Sequence, residues 1–145
     1  MLLLSYVISA NFYQVVLIQG SSMLPTLTPY QFCIVQKQYD EIERGAIIAF
    51  SNENTNLVLV KRVAGVPYDR LVIRDKSLYV NGAIPDFYNT VEFAEAGILS
   101  REIVLGEGEY FVIGDNPSHS IDSRDSQVGI LLGDEIIGVL LISRD

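Results

Sequence analysis

The sequence predicts a mainly β domain of antiparallel sheets, with an apolar N-terminal segment ahead of it and one small insertion. Three observations predict it. Short runs rich in Val, Ile, Leu, Tyr and Phe recur along the chain, the residues that suit a pleated, half-buried surface. Turn-forming residues punctuate these runs at short intervals. No long helical periodicity follows the N-terminal segment.

In chain order, residues 1–18 are mostly apolar, and the first charged side chain is Lys37. A membrane helix needs about 20 apolar residues, so this stretch is marginal, and its β-branched end (Val15, Val16, Ile18) favours a strand. A secretory leader would open with basic residues, and none are present. Residues 1–12 are therefore expected to be a remnant or short membrane anchor, or an interfacial segment. The alternative is a buried first strand. Residues 13–145 are expected to form the β domain, of a size that suits one core.

Within it, strands are expected over Val15–Ile18, Gln31–Gln36, Ala46–Phe50, Leu57–Val63, Arg70–Ile73, Leu78–Val80, Tyr110–Ile113 and Ile136–Ile142. "RDKS" (residues 74–77) reads as a hairpin connection, and Asn81-Gly82 as a turn closing the next strand. Residues 83–109 are the least patterned. They read as a small variable insertion with one helical turn within "VEFAEAGILS".

The formal net charge of −8 excludes a nucleic-acid partner, because acidic surfaces repel a phosphate backbone. The single cysteine, Cys33, lies in the apolar run "QFCIVQ". It can form neither an internal disulfide nor a zinc site of the usual spacing, and reads as a buried thiol. No metal or cofactor is called for.

The chemistry centres on "QGSSMLPTL", residues 19–27, with two adjacent serines and no nearby acid or histidine. A serine is a weak nucleophile unless a base takes its proton. One candidate base is His119, the only histidine, in "GDNPSHSIDSR". With Ser22 and Asp115 or Asp122 it could complete a triad. The other is a desolvated lysine, whose pKa falls when burial disfavours the ammonium. Lys61 in "LVLVKRVAGVP" follows an apolar run, and its neighbour Arg62 points to the opposite face of a regular strand. These residues alone do not separate Lys61 from Lys37.

Three blocks in order resemble those of the type I signal peptidases, membrane serine proteases with a Ser-Lys dyad. They are "SMLPTL" (residues 22–27), "KRVAGVPYD" (residues 61–69) and "GDNPSHSIDSR" (residues 114–124). The trailing "VGILLGDEIIG" also resembles the family's closing strands. The resemblance implies the family's antiparallel sheets, with Ser22 rather than Ser21 as nucleophile and Lys61 as general base. It implies that Ser120 hydrogen-bonds and aims the lysine amine, and that Asp122 and Arg124 pair near the site. The Ser22 N–H would be one oxyanion donor. Gly20 stands where some members place a hydroxyl that supplies a second.

Tyr68 stands where the family often has glycine in a Pro-Gly turn. Because Tyr dislikes positive φ, a type I or wider turn is expected at Val66–Asp69. The family also carries a full membrane helix before its first block, of which only the distal part is expected here.

The implied substrates are secretory preproteins cut after Ala-x-Ala-like sites. The enzyme is expected as a monomer in the cell membrane, its catalytic domain on the extracytoplasmic side and its apolar surface at the lipid interface. Ile18, Met23, Leu27, Leu59 and Val60 could wall shallow pockets for small side chains, or could be core. Two other readings compete. One is an inactive module that kept the fold. The other is a self-cleaving repressor-type Ser-Lys protease, which "EAGI" (residues 95–98) would serve poorly, because it lies after the lysine rather than before the serine.

Overall fold

The computed structural model describes residues 11–142 apart from position 55. The expected apolar anchor falls almost wholly on residues 1–10, outside the described part. Among the described residues, no helix is long and apolar enough to cross a membrane.

The described chain is mainly antiparallel β. A large sheet is formed by β1 (Tyr13–Leu17), β2 (Phe32–Gln36), β3 (Ile47–Asn52), β4 (Leu57–Gly65), β8 (Glu109–Ile113), β9 (Leu131–Leu132) and β10 (Ile136–Leu141). Its order is β1-β2-β10-β3-β4-β8-β9. A small sheet of order β6-β5-β7 comprises β5 (Arg70–Arg74), β6 (Ser77–Val80) and β7 (Ile103–Val104). The eight expected strands are all present, with ends shifted by a residue or two. The two-residue β7 and β9 are too short to leave a period in the sequence.

The closing strand β10 inserts between β2 and β3. Gly138 permits this, because a side chain there would collide with the Gln36 carbonyl and Val35. The central β3 is consequently buried on nearly every residue. At the sheet's other end β1 and β2 alternate. Cys33 and Val35 turn into the core, while Val15, Leu17, Phe32 and Ile34 stand exposed. Val15 pairs with Ile34, Leu17 with Phe32, and Leu141 of β10 also lies beside Ile34. The outer face is therefore a continuous apolar surface rather than scattered apolar residues.

The turn chemistry is as the residue types suggest at two places. Asp75 and Lys76 both take positive φ between β5 and β6, and Asn81-Gly82 do so after β6. Residues 83–109 contain β7 and two short 3-10 turns, Asp86–Tyr88 and Gly97–Ser100. Their Tyr88, Phe93, Leu99 and Leu105 fill the core against the small sheet.

The turn at Val66–Asp69 corrects the sequence expectation. Tyr68 adopts φ 73°, the left-handed value that a type II turn requires of its third residue. Asp69 N–H bonds the Val66 carbonyl (3.1 Å), and the Asp69 carboxylate accepts the Val66 N–H (2.9 Å). That carboxylate is buried, and is also held by Arg44 at 2.8 Å and Asn81 at 2.8 Å. The network around Asp69 outweighs the local preference of Tyr68, whose ring points to solvent.

Candidate active site

After β1 the chain turns at Gly20, with φ 78°, a conformation that glycine adopts without steric cost. It then enters a single helix-like turn. Leu24 N–H bonds the Ser21 carbonyl (3.2 Å) and Leu27 N–H bonds the Met23 carbonyl (2.9 Å). Met23 and Leu27 anchor this turn in the core beside Ile18, Val35 and Ala49. Their burial explains why the segment around the serines is so apolar.

β4 crosses beneath. Its pleat sends Lys61 to the buried side and Arg62 to the other, with Lys61 opposite Ile48 of β3. Lys61 is 4% exposed, and its Nζ lies 2.7 Å from Ser22 Oγ. Among the described residues it makes no ion pair. Burial pulls its pKa below the ordinary lysine value, and the charge of Asp122 partly opposes the shift. Lys37, the other lysine considered, follows β2 and bonds the Phe12 carbonyl through its backbone N–H.

A groove of about 390 Å³ opens at this contact, with Ser22, Met23 and Lys61 on its lining. Residues 17–19 form one wall and residues 57–60 the other. Ile18, Met23, Leu59 and Val60 thus border the groove. Leu27 does not, and its pocket assignment is corrected to core, where it is 1% exposed.

Two ion pairs, one buried and one half-buried, hold the third block. Arg124 Nε and Nη2 reach the two Asp122 oxygens at 2.8 and 3.0 Å. The guanidinium also bonds the carbonyls of Glu95 (3.1 Å) and Pro117 (2.7 Å), tying the insertion to the site. Arg62 grips Asp115 through Nε (2.7 Å) and Nη2 (2.6 Å), and its Nη1 bonds the Gly45 carbonyl (2.7 Å). Thr26 Oγ1 donates to the same Asp115 carboxylate. This contact joins one residue from each of the three sequence blocks.

The structure reassigns Ser120. Its hydroxyl gives its single proton to the carboxylate of Asp122 (Oδ2, 2.7 Å), and it makes no hydrogen bond to the lysine amine, whose Nζ bonds Ser22 Oγ. Ser120 remains beside the site through Gly114. A Cβ at Gly114 would fall onto Ser120 Oγ on one side and 2.6 Å from the Ser22 carbonyl on the other. Gly114→Ala is therefore expected to push the Ser22 turn off Lys61 and lower kcat about 100-fold, the cost of a misplacement near 1 Å. Steady-state kinetics beside a melting curve check this. Near-normal kcat would show that the turn yields freely.

His119 does not join the serine. It is exposed at the end of a 3-10 turn, and among the described residues its imidazole makes no hydrogen bond. Both acids that a triad would need are occupied, Asp115 by Arg62 and Thr26, and Asp122 by Arg124 and Ser120. Sequence reasoning did not single out Thr26, Tyr88 or Asn116. Tyr88 of the insertion bonds the Ile113 carbonyl (3.0 Å), just before Gly114. Only the "GDN" spelling of the third block hinted at Asn116.

Known proteins resemble this chain along most of its length. The family described as signal peptidase, peptidase S26, matches residues 1–143. Signal peptidase I T of Bacillus subtilis (strain 168) is 32% identical over 147 residues, covering 94% of this chain and 76% of that protein. Signal peptidase I U of the same strain is 34% identical over 145 residues, covering 93% and 77%. The crystal structure of a signal peptidase I from Enterococcus faecalis V583 superposes with a TM-score of 0.56 at 28% identity. It covers 72% of this chain and 100% of that one.

Proposed function

The chain belongs to the signal peptidase (peptidase S26) family, and on that premise we propose that it removes signal peptides from secretory preproteins as a serine endopeptidase. It cuts after Ala-x-Ala-like sites, with Ser22 as nucleophile and Lys61 as general base. The observation that carries this reading is the 2.7 Å contact between Lys61 Nζ and Ser22 Oγ, at a lysine 4% exposed.

Neutral Lys61 takes the hydroxyl proton as Ser22 Oγ bonds to the scissile carbonyl carbon. The resulting ammonium gives that proton to the leaving amine as the C–N bond breaks, which leaves an ester on Ser22. Water then attacks the ester carbon and yields a proton to Lys61, and the proton returns to Oγ as the ester bond breaks. Asp122 and Arg124 hold the surrounding loops and carry no proton. The groove beside Ser22, bordered by the apolar side chains of Ile18, Met23, Leu59 and Val60, suits an extended chain with small side chains one and three residues before the cut. The apolar outer face of β1, β2 and β10 suits work at a lipid interface, with the catalytic domain on the extracytoplasmic side.

The test is cleavage of an Ala-x-Ala preprotein in detergent, with a serine-acylating probe read by peptide mapping. Expected are a cut after the second alanine, label on Ser22, no cleavage by Ser22→Ala and near-normal cleavage by His119→Ala. Label elsewhere, or a strong loss in His119→Ala, would reject the dyad.

The pH profile follows from the direction of the Lys61 shift. Only the neutral amine is a base, so the rate rises with pH through the Lys61 pKa, which lies below the ordinary lysine value. Removing the Asp122 charge removes the influence that favours the ammonium. Asp122→Asn is therefore expected to move the acidic limb to lower pH. A limb that moved upward would contradict this assignment.

A further inference from the structure

The oxyanion site has a specific difficulty in this chain. Gly20 has no hydroxyl to offer, so more depends on backbone N–H groups being aimed correctly. One side chain outside the Ser22–Lys61 pair controls that aim. Asn116 Nδ2 donates to the Ser21 carbonyl (3.1 Å), and its backbone N–H donates to the Ser22 carbonyl (2.9 Å). One residue of the third block therefore holds two consecutive carbonyls of the first.

The consequence lies in peptide geometry. In a trans peptide unit the C=O and the following N–H point in opposite directions. Fixing the Ser21 carbonyl toward Asn116 turns the Ser22 N–H away from it. Fixing the Ser22 carbonyl does the same to the Met23 N–H. Among the described residues, neither of these N–H groups has an acceptor. They sit at the open start of the helix-like turn, beside the groove that Ser22 and Met23 line. Two successive free N–H groups make a concavity that favours an anion. Without the Asn116 amide, the Ser21–Ser22 peptide would keep only the 3.2 Å bond from Leu24 N–H.

We propose that Asn116 is a positioning residue for the oxyanion site, orienting the Ser21–Ser22 peptide so that the Ser22 N–H meets the developing oxyanion. This rests on the serine–lysine reading above. Asn116 bonds neither Ser22 Oγ nor Lys61 Nζ, and its action runs through the backbone of the nucleophile turn.

The test compares wild type with Asn116→Ala and Asn116→Asp. Both keep the backbone N–H to the Ser22 carbonyl. The Asp variant keeps the shape and replaces the amide donor with an acceptor. Removing an oxyanion donor outright costs about 100- to 1,000-fold in kcat, so misaiming one is expected to cost about 10- to 100-fold. KM should change by less than about 3-fold, and in Asn116→Ala, which adds no charge, the acidic limb set by Lys61 should stay in place.

A peptide aldehyde ending in Ala-x-Ala supplies a second readout. Ser22 Oγ adds to its carbonyl carbon as the hydroxyl proton passes to Lys61, which leaves a hemiacetal oxyanion. The variants should bind this aldehyde at least about 10-fold more weakly, with little change for the matching peptide alcohol, which forms no adduct. Normal kcat in both variants overturns the proposal while wild-type cleavage sustains the protease reading. Equal losses for aldehyde and alcohol, or a displaced acidic limb in Asn116→Ala, also overturn it, because they indicate a general loosening. A wild type that neither cleaves nor takes the aldehyde overturns both readings.

Discussion

Lys61→Met is expected to lower kcat for preprotein cleavage by about 10,000-fold, the upper range for loss of a general base, without unfolding the protein. Methionine has similar length and suits a buried site. The substitution also removes an amine whose burial is unfavourable, so the melting temperature should hold or rise. Lys61→Arg should be equally inactive for a different reason. A guanidinium cannot become neutral at working pH, so it keeps the charge and loses the base. Single-turnover kinetics with both variants separates chemistry from binding. Cleavage by Lys61→Met within about tenfold of wild type would end the case for Lys61 as the base.

Arg124→Ala is expected to cost about 3–5 kcal/mol of stability, the range for leaving one member of a buried ion pair alone. Asp122 would be left with a fully buried side chain and no cation beside it, and the carbonyls of Glu95 and Pro117 would lose their donor. Urea unfolding measures the effect. Arg124→Lys should recover only part of it, because an ammonium cannot match both carboxylate oxygens and two carbonyls at once. A loss below about 1 kcal/mol would mean that water replaces these contacts. Activity should fall with stability, since the same guanidinium fixes the loops carrying Ser120 and Asp122.

Much of the architecture was legible because strands announce themselves through composition and period. The runs around Val15, Ile34, Ile48, Val60, Val72, Tyr79, Val112 and Val139 each became a strand. The short β7 and β9 were not legible, since two residues carry no period. The Tyr68 turn misled for a related reason. Local preference argued against positive φ, but the Asp69 network with Arg44 and Asn81 joins residues far apart in the chain. Ser120 was given the lysine as partner by resemblance, while its hydroxyl goes to the nearer Asp122 oxygen.

The sequence by itself determined the candidate groups, the family blocks that carry them, and the strand pleat that puts Lys61 and Arg62 on opposite faces. That much follows from covalent order and backbone period. Which face of β4 is buried, and hence which cation is desolvated beside Ser22, was decided only by the tertiary structure. So were the Asp115 junction of the three blocks and the hold of Asn116 on the serine turn. Burial and hydrogen bonding depend on what lies across the fold, and chain-distant partners leave no local pattern for a sequence to display.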